Sequence, residues 1–125
     1  VTIVTRHRRE TGLLGEERAV QALRRSGYRI RARNYRCRHG EVDVVAEEGG
    51  TVVFVEVKTR RGAAYGPPAL AVTRAKRRRI IRTALHYLMA NGLEDRTVRF
   101  DVVAVIGSPA GWRTQLLRGA FEAGE

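Results

Sequence analysis

Asp43, Glu56 and Lys58 stand in GEVDVVAEEGGTVVFVEVK, Gly40 to Lys58, a stretch otherwise composed like two buried strands. Charged side chains in such strands are costly unless something pairs with them. Side chains alternate along a strand, so Glu56 and Lys58 share one face and Val55 and Val57 the other. Gly49-Gly50 has the composition of a two-residue hairpin, and a turn there pairs Glu48 with Thr51. That register places Asp43 opposite Glu56, with Cβ atoms about 5 Å apart, and Glu41 opposite Lys58. Facing carboxylates repel, so the arrangement calls for a cation: an arginine or a divalent metal. Mg²⁺ is typically held by one or two carboxylates, with water and phosphate oxygens completing its shell. A third acid, Glu16, falls on a helical wheel in the middle of the stripe Leu13, Ala19, Val20, Leu23 and is expected to point inward to the same cleft. The competing reading is an ordinary ion-pair network in which Arg29, Arg31 or Arg99 neutralises these acids.

The elements that must position these residues follow from periodicity. Helical spacing runs from about Glu10 to Ser26 and stops at Gly27. Tyr28 to Tyr35 alternates like a strand, and YRCRHG follows as a basic loop. Val42 to Glu47 and Thr51 to Val57 form the hairpin. RRGAAYGPP, Arg60 to Pro68, has the composition of a loop, and a second helix runs from Ala69 or Thr73 to Ala90, ending at Asn91-Gly92. Thr97 to Gly107 is apolar on both faces apart from Arg99 and Asp101, as a central strand would be. A last short strand lies near Trp112 to Arg118. The order αβββαβ, with that possible further strand, predicts an α/β fold with a mixed sheet flanked by helices. We expect one domain, residues 10–121, after a loosely ordered segment, residues 1–9.

The chain has 125 residues, with 24 Lys+Arg against 13 Asp+Glu, for a formal charge of +11. That excess implies an anionic partner, with nucleic acid ahead of a membrane surface. Arginine dominates it, since Lys58 and Lys76 are the sole lysines. No apolar run approaches the ~18 residues of a membrane span, and the first residues do not read as a signal peptide. Cys37 is the single cysteine, which leaves no internal disulfide; a soluble cytoplasmic protein is expected.

The basic residues cluster. Lys76, Arg77, Arg78 and Arg79 open the second helix, where cations oppose the helix dipole unless an anion binds. Arg33, Arg36 and Arg38 precede Asp43, and Arg60 and Arg61 follow Lys58, so a phosphate track is expected on both sides of the acids. Tyr35 and Tyr65 are candidates for base stacking or for closing a core edge. Cys37 and His39 are too few ligands for a structural zinc. His86 reads as an ordinary helix residue, and Asp101 either supports the site or caps the sheet edge.

The segment from GLLGEERAVQ through GEVDVV and VFVEVKTR to RFDVVAV resembles the YraN-like family of small bacterial proteins, from about Gly12 to Ile106. That family is similar to archaeal Holliday-junction resolvases within the PD-(D/E)XK nuclease superfamily. The resemblance implies a restriction-endonuclease-like fold with catalytic Glu16, Asp43, Glu56 and Lys58. It further implies Mg²⁺ or Mn²⁺ held by Asp43, Glu56 and the Val57 carbonyl. Lys58 would orient the attacking water, and Glu16 a second metal or the water shell. Val42 stands where the superfamily often has proline. The implied function is a metal-dependent endonuclease acting on DNA, branched or structured DNA included, and a two-fold dimer would suit a junction. A non-catalytic nucleic-acid-binding module of the same fold is the alternative. A basic RNA- or ribosome-associated protein fits the charge but leaves the inward acids without a reason.

Overall fold

The computed structural model describes residues 2–61 and 72–123, with side chains from Leu14 onward. Helix α1 spans Thr2–Arg25, and three strands follow: β1 Arg29–Cys37, β2 Gly40–Glu48 and β3 Thr51–Arg61. Helix α2 spans Arg74–Ala90 and leads to β4, Val98–Ser108, and β5, Gly111–Phe121. The strands form one sheet in sequence order. β3 and β4 are parallel, joined across α2, and the other neighbours are antiparallel.

Two valine-rich cores sandwich the sheet. Val42, Val45, Val52, Phe54, Phe100 and Val102 pack under Ile80, Ala84, Tyr87 and Leu88 of α2. Val44, Ala46, Val53, Val55, Val103 and Val105 pack under Ala19, Val20 and Leu23 of α1. Consecutive residues of β3 feed opposite cores, which is why its apolar run is continuous rather than alternating. No helix among the described residues is long and apolar enough to cross a membrane.

The hairpin forms as expected: Gly49 and Gly50 take φ of 55° and 88°, and Glu48 pairs with Thr51. Both glycines occupy the left-handed region that a tight turn of this type demands. Helix α2 starts after Thr73, whose hydroxyl caps the Lys76 N–H at 3.2 Å, and ends at Asn91.

Other boundaries differ. Helix α1 begins at Thr2 rather than near Glu10, because the apolar stripe that marks a helix in sequence starts only at Leu13. Strand β1 runs on through Cys37, so the expected basic loop shrinks to a turn at Arg38 and His39. The alternation of arginine with the uncharged Tyr35 and Cys37 in YRCR is a strand pattern obscured by charge. β3 extends to Arg61, and β5 is a full strand. The rest of the expected loop, including Tyr65, lies outside the described residues.

Candidate active site

The hairpin ladder opens at one end. Its pairs run from Glu48 with Thr51 to Val44 with Val55 and stop there, while β3 continues to Arg61 in parallel pairing with β4. The expected rungs of Asp43 with Glu56 and Glu41 with Lys58 therefore do not form. In their place Asp43 Oδ2 accepts the Val57 N–H at 2.8 Å, across the gap where a backbone bond would sit. Glu41 instead pairs with Arg36 of β1 at 2.9 Å.

The cause lies in β1 and β2 together. Val42 and Val45 both face the α2 core while Val44 and Ala46 face the α1 core, so strict alternation slips at Asp43. Ala32 and Tyr35 of β1 show the same three-residue spacing on the α2 side. Between them Asn34 has φ of 53°, a left-handed conformation that asparagine tolerates better than most residues. Asn34 and Asp43 occupy the level between the pairs Arg33 with Val44 and Tyr35 with Val42. The kink turns Asp43 out of the regular pleat and toward β3.

Glu56 is 4% exposed and faces α2. Lys58 Nζ lies 3.8 Å from its Oε1, and Lys76 Nζ, from the first turn of α2, contacts the same oxygen. The only two lysines of this arginine-rich chain thus meet at one carboxylate. Lys76, expected on the phosphate track, has its ammonium inside the site, on Glu56. The signal was present in the composition, since a solvated face of this chain would be built of arginine. Glu41, Asp43, Glu56, Lys76 and Arg79 line a cleft of about 270 Å³.

Electrostatics set these groups apart from surface residues. Asp43 is pushed up to about 7 by burial, then by the charge of Glu56, against the opposing pull of the Val57 N–H and Lys76. Burial and the neighbouring Lys76 lower Lys58 from the ordinary lysine range. Burial also pulls on Lys76, but Glu56, Lys58 and Asp43 together lift it above its ordinary value. Of the two ammonium groups, Lys58 is therefore the one that gives up a proton more easily.

Glu16 comes to the same region from the α1 side. Gly15 makes this possible: a Cβ there would lie 2.0 Å from Thr59 Oγ1, so only glycine lets α1 approach β3 so closely. The Glu16 carboxylate accepts from Asn34 Nδ2 at 2.7 Å, with Arg33 Nε at 3.7 Å. Its charge still reaches Asp43, as the smallest of the influences on that group. Among the described residues no three His, Cys, Asp or Glu side chains come close enough together to hold a metal. Asp43 and Glu56 are the carboxylates that could share one.

The arginines expected as competitors are occupied elsewhere: Arg29 and Arg31 with Glu47, and Arg99 with Glu48 and Asp101. Asp101 serves the sheet rather than the site, and one of its bonds goes to the edge strand β5. It is fully buried and accepts from Tyr28 Oη at 2.7 Å, from Arg99, and from the Gly119 N–H at 3.0 Å. The basic track is divided. Arg78 and Arg79 are exposed at the start of α2. Arg77 donates to the Val72 carbonyl at 3.0 Å and lies over Phe121, so it serves the fold. Arg36 is paired, Arg38 Nε points to His39 Nε2 at 3.4 Å, and Arg61 turns to the α1 side over Trp112. Arg60 sits on the β3 extension. Tyr35 closes a core edge, edge-on to Tyr87 and bonded to His86.

Comparison with known proteins identifies a family. The model of the Uncharacterised protein family UPF0102 matches residues 15–105. A UPF0102 protein of Symbiobacterium thermophilum is 53% identical over 116 residues, 92% of this chain and 98% of that protein. One from Syntrophus aciditrophicus is 51% identical over 112 residues, 90% of this chain and 88% of that protein. One from Myxococcus xanthus is 48% identical over 117 residues, 94% and 93% of the two chains.

Proposed function

Starting from the fact that this chain belongs to the UPF0102 family, we propose that it is a metal-dependent phosphodiesterase acting on DNA. The observation that carries this reading is the open end of the hairpin. Asp43 is held at the Val57 N–H in the gap, beside buried Glu56 and Lys58, at a cleft rimmed by Arg79. Asp43 is raised to about 7 by burial and by the charge of Glu56, so its carboxylate form is one that a bound cation would favour. Asp43 and Glu56, with the Val57 carbonyl, would hold Mg²⁺ or Mn²⁺ there. Bound to them, the ion would supply charge neutralisation at a phosphate oxygen and a more acidic water. The chain's own residues do the rest. Val57 N–H fixes one Asp43 oxygen, leaving the other for the cleft. Lys58, lowered by burial, holds or releases a proton at Nζ beside the reacting phosphate. Arg78 and Arg79 draw in the phosphate chain. The same reading takes the fold as restriction-endonuclease-like and the family as a branch of the PD-(D/E)XK superfamily, similar to Holliday-junction resolvases. A mixed sheet flanked by two helices, in the order αβββαββ, and the acids and lysine at the open hairpin end support it. A cytoplasmic location, and a two-fold dimer for branched substrates, go with it.

One observation favours a second reading, a module that binds nucleic acid without cutting it. Lys76 already contacts Glu56, and Glu16 is engaged by Asn34 and Arg33. Cleavage of single-stranded, duplex and four-way DNA with Mg²⁺ or Mn²⁺ separates the two. The enzyme reading expects metal-dependent cutting that falls by about 10²-fold or more in Lys58→Ala, with affinity in EDTA nearly unchanged. Tight binding in EDTA with no cutting of any substrate by the wild type establishes the module.

A further inference from the structure

On the α1 side of the sheet lies a cleft of about 190 Å³, lined by Arg18, Gln21 and Arg25 of α1 and by Trp112, Arg113 and Thr114 of β5. Its arginines differ from most of those on the strands. Most arginines in β1, β4 and β5 have a carboxylate partner: Arg29, Arg31, Arg33, Arg36, Arg99 and Arg118. No carboxylate lines this cleft. Among the described residues no ion pair involves Arg18, Arg25 or Arg113.

Arg18 carries the argument. Its Nε is buried and has no hydrogen-bond partner. A buried donor left in that state is unfavourable, and a ligand oxygen would relieve it. Its position is nonetheless held: the guanidinium lies 5.6 Å from the Trp112 ring centroid, and that of Arg61 lies 5.4 Å from the same ring. Trp112 is in turn fixed against Gly107, its partner in the β4–β5 register, where a Cβ would lie 2.8 Å from the ring. Two cations around one aromatic ring, with a third and a fourth nearby, repel one another unless an anion enters. The guanidinium fork suits phosphate oxygens, and Gln21 and Thr114 add neutral donors at the same wall.

We infer that this cleft is a phosphate-binding site for a nucleic-acid backbone, separate from the Asp43 and Glu56 cleft and on the other face of the sheet. The volume supports a backbone phosphate over a free metabolite. Pockets that enclose a whole small molecule run to ~300–1,000 Å³, and this one is smaller, so it takes one group of a longer chain. A nucleic acid that reaches both clefts must pass around the β5 edge or present two segments. The inference rests on the proposed function only for the kind of polymer, because its test uses binding and no metal.

Trp112 is the single tryptophan of the chain, so its emission reports on this cleft alone. In EDTA, a thymidine oligonucleotide is titrated into wild type, Arg18→Gln, Arg113→Gln and the double variant, each checked by its melt. Saturable change of Trp112 emission in wild type is expected, together with an affinity about tenfold weaker in the double variant. The slope of log affinity against log salt should be smaller by about one to two in that variant. Exposed Arg113 keeps the test open should Arg18→Gln fold poorly. Oligonucleotide binding by anisotropy with no change at Trp112, or with unchanged affinity and slope in the double variant, overturns the inference. So does a response to inorganic phosphate alone, or to anionic phospholipid vesicles but not to the oligonucleotide. Loss of DNA cleavage has no bearing on this result.

Discussion

The hairpin of β2 and β3 carries acids at both ends, and the two ends neutralise them differently. At the turn, Glu47 meets Arg29, Arg31 and Arg96, while Glu48 meets Arg99 and Arg118 at 2.6 Å each. Arg99 also clamps Asp101, which is fully buried on β4. At the open end, Asp43 has one backbone N–H, and Glu56 shares two lysines. The effect on acidity is opposite. Arg29 holds Glu47 below its usual range, and Arg118 with Arg99 holds Glu48 at about 2, whereas burial and Glu56 push Asp43 up to about 7. Arginine forks satisfy a carboxylate geometrically, and lysine ammonium groups are compact charges that shift and exchange protons. The turn end is closed as a structural network of arginine forks, and the open end holds a carboxylate whose charged form is disfavoured by burial and by its neighbour Glu56.

The sharpest way to break this comparison is at Asp101. Asp101→Ala leaves the buried Tyr28 hydroxyl and the Gly119 N–H without their acceptor and removes one of the two carboxylates of Arg99, at a cost of about 1–3 kcal/mol for each stranded donor. Urea unfolding measures it. A variant as stable as wild type would mean that the turn-end network is not structural.

A smaller effect, with opposite signs at the two ends, is the pH dependence. Asp43 has a folded value above its ordinary 3.8, so its ionisation opposes folding. That penalty is absent below pH 4, grows through about pH 7 and is then constant. Asp43→Asn should therefore match wild type near pH 4 and exceed it by on the order of 1–3 kcal/mol at pH 8, in EDTA. Glu48, held at about 2 from an ordinary 4.5, stabilises fully above pH 4.5 and loses that contribution as pH falls toward 2. Glu48→Gln should therefore be weaker than wild type at pH 7, by about 1–2 kcal/mol after allowance for solvent screening, and equal to it near pH 2. Melts across pH decide both. A large loss of stability in Asp43→Asn at pH 8 would make the open end another ion-pair network. Added Mg²⁺ should stabilise wild type at pH 8 and leave Asp43→Asn nearly unmoved.

The smallest effect concerns the rim. Arg79 lines the cleft and its neighbour Arg78 is exposed on the same helix turn, so replacing both with alanine should lower the slope of log DNA affinity against log salt by about one to two. Arg36→Ala, which removes a residue already paired with Glu41, should change it far less. Equal slopes for all three proteins would return the α2 cluster to a solvated surface.

What sequence determines here is local. Gly49-Gly50 allows the left-handed turn, β-branched runs on either side take the strand, and the period of two then puts Glu56 and Lys58 on one face without further information. Thr73 and Asn91 bound α2 for equally local reasons. Which charge meets which is another matter. Lys76 reaches Glu56 only because α2 packs on that face of the sheet, and the arginines divide among Glu47, Glu48 and Asp101 according to strands far apart in sequence. The loss of the Asp43 and Glu56 rung depends on Asn34 of a neighbouring strand, whose left-handed turn shifts the pleat where β1 and β2 meet. Periodicity reports the face of a side chain relative to its own backbone. The partner of a buried charge is set by packing between elements, where a few ångströms separate an arginine-locked carboxylate from one that waits for a ligand.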